Sequence, residues 1–254
     1  MYVGGLFGCS GPIVNCVIAA NRGQCGGGLS DCDGAISNCI IVGNVAWGDS
    51  LPDEGLGGGL YDCNAVIANC IIRQNWAQTA GDQLYSSSEP NYSCIEGWSG
   101  GGTGNITSDP CFVSAGYWAD ANDPNTVVAP DDPNTVWVDG FYRLARNSPC
   151  IDAGDNGSVP GVITTDLSGL PRFIDTCTAD TGSGTAPLVD MGAYEFLPAD
   201  IDGSGSVNMR DYSVLAAIWL QTSCEFCYGA DFTCDGNVDW YDLQDMTNWW
   251  LAGI

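Results

Sequence analysis

Lysine and histidine are absent from this chain, and its six basic residues, all arginine, face 31 acidic ones for a net charge of -25 over 254 residues. That balance excludes nucleic acid as a partner, because phosphate binding needs a basic stripe to displace counterions. Divalent cations are the natural counter-charge. No apolar run approaches the ~20 residues needed to span a bilayer. The opening Met1, Tyr2, Val3, Gly4 and Gly5 lack the basic and apolar regions of a signal peptide. The expectation is a chain that begins inside a repeat, with any export signal upstream.

Glycine (35 residues) and cysteine (14) are plentiful. Gly5, Cys9, Ile13, Asn15, Cys16, Ile18 and Asn21 form a phrase that recurs as Gly28, Cys32, Ile36, Asn38, Cys39, Ile41 and Asn44. It recurs again as Gly59, Cys63, Ile67, Asn69, Cys70, Ile72 and Asn75. The cysteine offsets are 23 and 31, the surplus falling in a loop from Trp47 to Gly57, and a weaker fourth copy runs through Ser93, Cys94 and Ile95. Short β-rich runs at such a period mean coils stacked on coils.

The phrase resembles the right-handed parallel β-helix of the pectate-lyase-like class; the spacing of leucine-rich repeats, the main rival, is missing. The resemblance implies that equivalent residues stack at the ~4.8 Å strand spacing. Asn15, Asn38 and Asn69 would then bond amide to amide from rung to rung. The ladders Cys9/Cys32/Cys63 and Cys16/Cys39/Cys70/Cys94 would point their thiols the same way, which suits a disulfide torsion poorly. They are expected as buried, reduced thiols acting as small core groups.

From Asp109 the repeat dissolves. Asp123 to Val127 and Asp132 to Val136 form a tandem, read as a surface insertion. Three phrases follow: Asn147 to Asp155, Asp166 to Arg172 and Asp190 to Phe196. In that order they resemble the choice-of-anchor Q module that closes secreted bacterial β-helix proteins. They bring Asp152, Asp155, Asp166, Asp190 and Glu195 near Arg172, and an arginine bridging carboxylates would pin the last coil. A third calcium site among those acids is the alternative.

The last segment carries the most specific spacing. Asp200, Asp202 and Ser204 stand at the first, third and fifth places of one frame, Gly205 at the sixth, Ser206 at the seventh and Asp211 at the twelfth. Asp231, Thr233, Asp235, Gly236, Asn237 and Asp242 repeat it 31 residues on. Oxygen donors around a glycine-hinged turn are what a hard cation needs, as in the EF-hand loop. An apolar helical run follows each frame, Tyr212 to Leu220 and Leu243 to Leu251.

With no helix pattern before Asp200, and with Asp at the twelfth place, residues 199 to 252 resemble a type I dockerin module. Ser204 and Thr233 depart from the usual Asp or Asn ligands. The resemblance implies two calcium ions, with Ser206 and Asn237 ligating through their carbonyls, and a cohesin-like partner read by Met209, Arg210, Trp240 and Tyr241. Packing of Trp240 and Tyr241 on the β-helix is the competing role. A disulfide is expected from Cys224 or Cys227 to Cys234, and the three-residue link Leu197-Pro198-Ala199 is too short for a flexible tether.

These readings give a mainly β chain: parallel β-helix coils over 1-112, a closing β module over 113-198 and a small α-helical dockerin-like calcium domain over 199-254. A lyase needs a base and cations against its substrate, and the chain has no lysine or histidine and only scattered arginines. The preferred function is a non-catalytic extracellular or cell-surface structural protein that self-associates head to tail or docks to a surface protein. A cohesin-binding module and a polysaccharide-acting enzyme are the alternatives.

Overall fold

The computed structural model describes residues 4–48, 54–224 and 227–253. Residues 49–53 of the loop between Trp47 and Gly57 therefore lie outside the described residues. The fold is mainly β, with two short helices among the described residues. Strands of two or three residues from successive coils pair in parallel, building four stacks. The first contains Leu6–Phe7, Leu29–Ser30, Leu60–Tyr61 and Leu84–Tyr85, and the second Ile13–Val14, Ile36–Ser37 and Ile67–Ala68. The third contains Val17–Ala19, Ile40–Val42, Ile71–Arg73 and Cys94–Ile95, and the fourth Arg22–Gly23, Val45–Ala46 and Trp76–Ala77. Such stacking is compatible with a parallel β-helix.

Register places like on like. Ile13, Ile36 and Ile67 align, as do Ile18, Ile41, Ile72 and Ile95. These side chains and the ladder cysteines of the first three coils, Cys9, Cys16, Cys32, Cys39, Cys63 and Cys70, fill one interior core. Each fully buried isoleucine contributes about 1.5–3 kcal/mol. The ladder cysteines are free thiols, as expected. Cys39 and Cys70 each donate to the carbonyl two residues back, at 3.2 and 3.1 Å.

Two ladders differ from expectation. Asn15, Asn38 and Asn69 form no continuous ladder, although the amides of Asn38 and Asn69 approach to 3.0 Å; they turn the corner between the second and third stacks with φ of 53, 52 and 53°. Asparagine tolerates that left-handed conformation better than most residues. The amide ladder is formed instead by Asn21, Asn44 and Asn75, each link 2.9 Å long. The second difference is a slip of one residue in the fourth coil. Tyr92, φ 45°, takes the corner, Ser93 Oγ accepts from Cys70 N, and Cys94 pairs with Ile71. A one-residue slip turns a side chain to the opposite face, so Cys94 leaves the ladder and joins a second core.

That second core lies outside the coils. Ile40, Val42 and Ile71 point away from the interior and are covered by Cys150, Ile151, Ala153 and Met191. The corner asparagines bind the same covering segment. Asn69 Oδ1 accepts from Asp155 N (2.7 Å), Asn15 Nδ2 donates to the Thr165 carbonyl (2.7 Å), and Asn38, its amide oxygen turned inward, accepts from Arg172 Nε (3.1 Å). The segment thus runs along three coils rather than pinning the last one. The first DPNTV copy, Asp123–Val127, is exposed, as expected of a surface insertion, while the region around the second meets the coils: Trp137 covers Gly43, where a Cβ would strike its indole, and Arg22 binds Thr135 and stacks 5.2 Å from the Trp118 ring.

Arg172, fully buried, pairs with Glu195 at 3.2 Å and with none of the other four carboxylates. Backbone amides hold three of those acids, while Asp152 accepts from the Thr176 hydroxyl. Asp190 accepts from Asp152 N and Phe196 N, Asp166 from Leu170 N and Glu195 N, and Asp155 from Gly157 N. Burial raises the carboxyl of Asp152 to about 6 and that of Asp190 to about 7, and pushes Glu195 well up.

A carboxyl raised on folding takes up a proton, so its stabilising contribution is complete below about pH 4 and is lost as pH rises through 6 to 7. The thermal midpoint in chelator is therefore expected to fall between pH 5 and pH 8; a midpoint that rises over that interval contradicts this account. Arg172→Met, which leaves Glu195 alone, should cost about 3–5 kcal/mol at pH 8. The cost should shrink at pH 5, where Glu195 can protonate, and urea unfolding at the two pH values measures the difference.

Candidate metal centre

Asn208 and Asp239 cap helices α1 (Met209–Ala217) and α2 (Trp240–Asn248), and Asp211 and Asp242 at the third helical position complete a capping box in each. The caps start both helices three residues earlier than the apolar runs indicate. Ahead of each helix the two acidic loops adopt the same internal bonding. Asp200 accepts from Ser204 N (3.0 Å) and Gly205 N (2.8 Å), as Asp231 does from Asp235 N (3.2 Å) and Gly236 N (2.9 Å). Asp211 Oδ1 accepts from Ile201 N (2.8 Å) and Asp202 N (3.1 Å), and Asp242 Oδ1 from Phe232 N (2.7 Å) and Thr233 N (3.1 Å). Gly205 and Gly236 take φ of 90 and 82°, as the sharp turn requires.

In the first loop, ligand oxygens of Asp200, Asp202 and Asp211 lie within 4.8 Å of one another. Among the described residues this is the one such group of three, and the acids around Arg172 form none. An oxygen-only set with two buried members suits a hard cation and offers zinc no nitrogen or sulfur ligand. Burial, with the charges of Asp211 and Asp202 close by, lifts Asp200 to about 6. Asp202 is held below its usual range, chiefly by a hydrogen bond from Ser204.

The other donors of the sequence frame occupy the same loops. The Ser206 carbonyl accepts from Ser204 Oγ (3.3 Å) and Asn208 Nδ2 (3.1 Å). Thr233 Oγ1 donates to Asp242 Oδ1 (3.2 Å), and Asn237 N to Asp235 Oδ1 (2.9 Å). Thr233 stands where the first loop has Asp202 and Asp235 where it has Ser204, so each loop carries three carboxylates.

The loops are also joined crosswise. Leu220 N, beyond α1, donates to Val238 O of the second loop (2.9 Å); Leu251 N, beyond α2, donates to Val207 O of the first (3.1 Å). Val207, Leu215, Val238 and Met246 share a core with Leu170, Ile174 and Leu197 of the preceding segment, so the joint is packed. Trp240 and Tyr241 do not pack on the coils: they are 65 and 64 % exposed.

Disulfides differ from the expected one. Cys224 bonds to Cys227, and Cys234 to Cys177, a residue of the preceding segment that spacing alone did not single out. Cys177 lies beside the second loop, its sulfur 3.6 Å from the Asp231 carbonyl oxygen, which gives it a reach the nearer pair does not use. Two further residues absent from the sequence frame border the first loop. Arg146 donates to the Pro198 carbonyl (2.7 Å), its guanidinium depressed by burial against the opposing charge of Asp200, while Arg143 stacks on Tyr194. No spacing pattern marks either arginine.

Replacing Cys177 and Cys234 together by serine should lower stability by about 2–4 kcal/mol, the typical contribution of one disulfide. Urea unfolding under oxidising conditions measures the loss, and an unchanged midpoint would sink the linkage. No family model, curated protein or solved structure matches this chain.

Proposed function

We propose that this protein is a non-catalytic, calcium-stabilised structural protein of the extracellular space or cell surface. Its right-handed β-helix, of the pectate-lyase-like class, serves as a shaft, and its dockerin-like end as a rigid calcium joint. The carrying observation is the pair of acidic loops with the same hydrogen bonds 31 residues apart, tied to the preceding segment through a disulfide and a common core.

In the first loop calcium would be held by Asp200, Asp202, Ser204, the Ser206 carbonyl and Asp211. In the second it would be held by Asp231, Thr233, Asp235, the Asn237 carbonyl and Asp242. The ion would supply charge compensation to clustered carboxylates, nothing more. Exposed Met209, Tyr212, Trp240, Tyr241 and Trp250 favour assembly through this end, onto another copy head to tail or onto a surface protein. The same exposure of Met209, Trp240 and Tyr241 supports the second reading, a dockerin-type module for a cohesin-like partner.

Titration calorimetry should record calcium binding in the weak extracellular range, roughly 10⁻⁵ to 10⁻³ M, with chelator melting residues 199 to 252 first. Absence of both calcium heat and a calcium-dependent melting shift would overturn the reading. Asp202→Asn separates the ligand charge from the local bonding. It keeps the Oδ1 acceptor for Ser204 N and removes a charge, so it should melt higher than the native chain in chelator and lower in calcium.

A further inference from the structure

Where the first acidic loop meets the strands Phe112–Ser114 and Phe141–Leu144, a cavity of about 270 Å³ remains. Phe112, Val113, Leu144, Phe196 and Ile201 give it apolar walls, and two of the six arginines, Arg143 and Arg146, line it. Other arginines are engaged: Arg22 with Thr135, Arg73 with Glu96 and Ser108, Arg146 with Pro198, Arg172 with Glu195. Arg143 lies against the rings of Phe141 (5.9 Å) and Tyr194 (5.1 Å) but donates to no described residue, and its Nη1 is buried without an acceptor.

Nη1 has no accessible surface, so a ligand in the cavity would meet the Nε and Nη2 edge of the guanidinium, which donates to no described residue and gains from an acceptor. The acceptor that matches its planar fork is a carboxylate, bound through two parallel N–H bonds. The walls then ask for an apolar body. The volume falls just below the roughly 300 to 1,000 Å³ of drug-sized ligand sites. One ring-sized molecule fills it.

Charge adds a condition. Glu195 is neutralised by Arg172, leaving Arg143 and Arg146 against Asp200 and Asp202 in the cavity lining. That sum offers an anion no net attraction. A divalent cation in the first loop tips the balance to positive, and linkage makes the effect reciprocal.

We propose that this cavity binds a small monocarboxylate with a compact ring-shaped or apolar body, held by the Arg143 guanidinium, and that a cation in the first loop strengthens the binding. The cation dependence rests on the calcium reading above; the cavity and its arginine do not.

The probe is 4-fluorobenzoate, followed by fluorine NMR against the full chain in calcium and in chelator, with 4-fluorobenzamide as the neutral isostere. Calcium calorimetry is run on the same samples. The expected result is a saturable shift for the acid in calcium, weakened about fivefold or more in chelator, the lower end of common coupling strengths, and little shift for the amide. Arg143→Met should weaken the acid by about tenfold or more, as loss of a charged hydrogen-bond donor does. Arg143→Lys, which keeps the charge without the fork, should fall between.

Calcium heat with no fluorine shift in either buffer overturns the cavity and leaves the calcium reading standing. An Arg143-dependent shift without calcium heat does the reverse. Equal binding in calcium and chelator, with normal calcium heat, removes the linkage, and an amide that binds as well as the acid removes the carboxylate. Should Arg143→Met fail to fold, unchanged affinity in Arg143→Lys overturns the role of the fork.

Discussion

In-register parallel pairing is the constraint on which the rest of this structure depends. Once Ile18, Ile41 and Ile72 stack in the interior, alternation along the strand sends Val17, Ile40 and Ile71 outward in an equally continuous apolar row. A parallel stack is stable when both faces are covered. The covering segment around Cys150 to Met191 answers that need, and its role explains its course along three coils. Gly192 lets its backbone come close, since a Cβ there would lie 2.9 Å from Ile71 Cδ1. The corner asparagines, at left-handed φ, then face the covering backbone and satisfy groups that burial would otherwise orphan.

Much of this was legible, and the illegible parts share a cause. The period of the coils, their core isoleucines and the paired acidic loops follow from residue type at fixed offsets. What offsets cannot convey is which of two equivalent residues turns inward. Each repeat carries two asparagines at constant spacing, so Asn15 and Asn21 have equal claim to an amide ladder until the corner conformation decides. In the fourth coil, Cys94 matches the ladder by eye, but Tyr92 takes the corner and the register moves by one. Cys177 and Arg143 lie further out of reach. Their partners come from distant segments, and neither belongs to a local pattern.

Scarcity of cations governs the electrostatics. With six arginines for 31 acids, side-chain pairing cannot neutralise the chain, and the described residues hold two salt bridges. The acids turn to backbone N–H groups instead, at the partly buried Asp155 and at the buried Asp166, Asp190, Asp200 and Asp231 alike. A backbone amide orients a carboxylate and stabilises its charge, but it brings no net positive charge. Where burial outweighs such bonds, the carboxyl is raised and protonation relieves it, as at Asp152 and Asp190, which lie beside each other and near further acids. Where three converge near solvent, as at Asp200, Asp202 and Asp211, an external cation is the other remedy.

The crosswise joining of the two loops bears on how that remedy would act. The end of α1 is fixed to the second loop through Val238, and the end of α2 to the first through Val207. An ion that orders one loop therefore orders the terminus of the other loop's helix, and part of the conformational entropy of the second site is already spent when the second ion arrives. Each frame carries three carboxylates, but among the described residues only those of the first converge within 4.8 Å of one another. Under the proposed calcium reading the first loop would fill first, and its filling would raise the affinity of the weaker second loop. Because Leu170, Ile174 and Cys177 of the preceding segment share this core or are bonded to it, the same ordering would reach the segment that covers the coils. Cation binding at one end of the chain and the integrity of the shaft would then be one equilibrium rather than two.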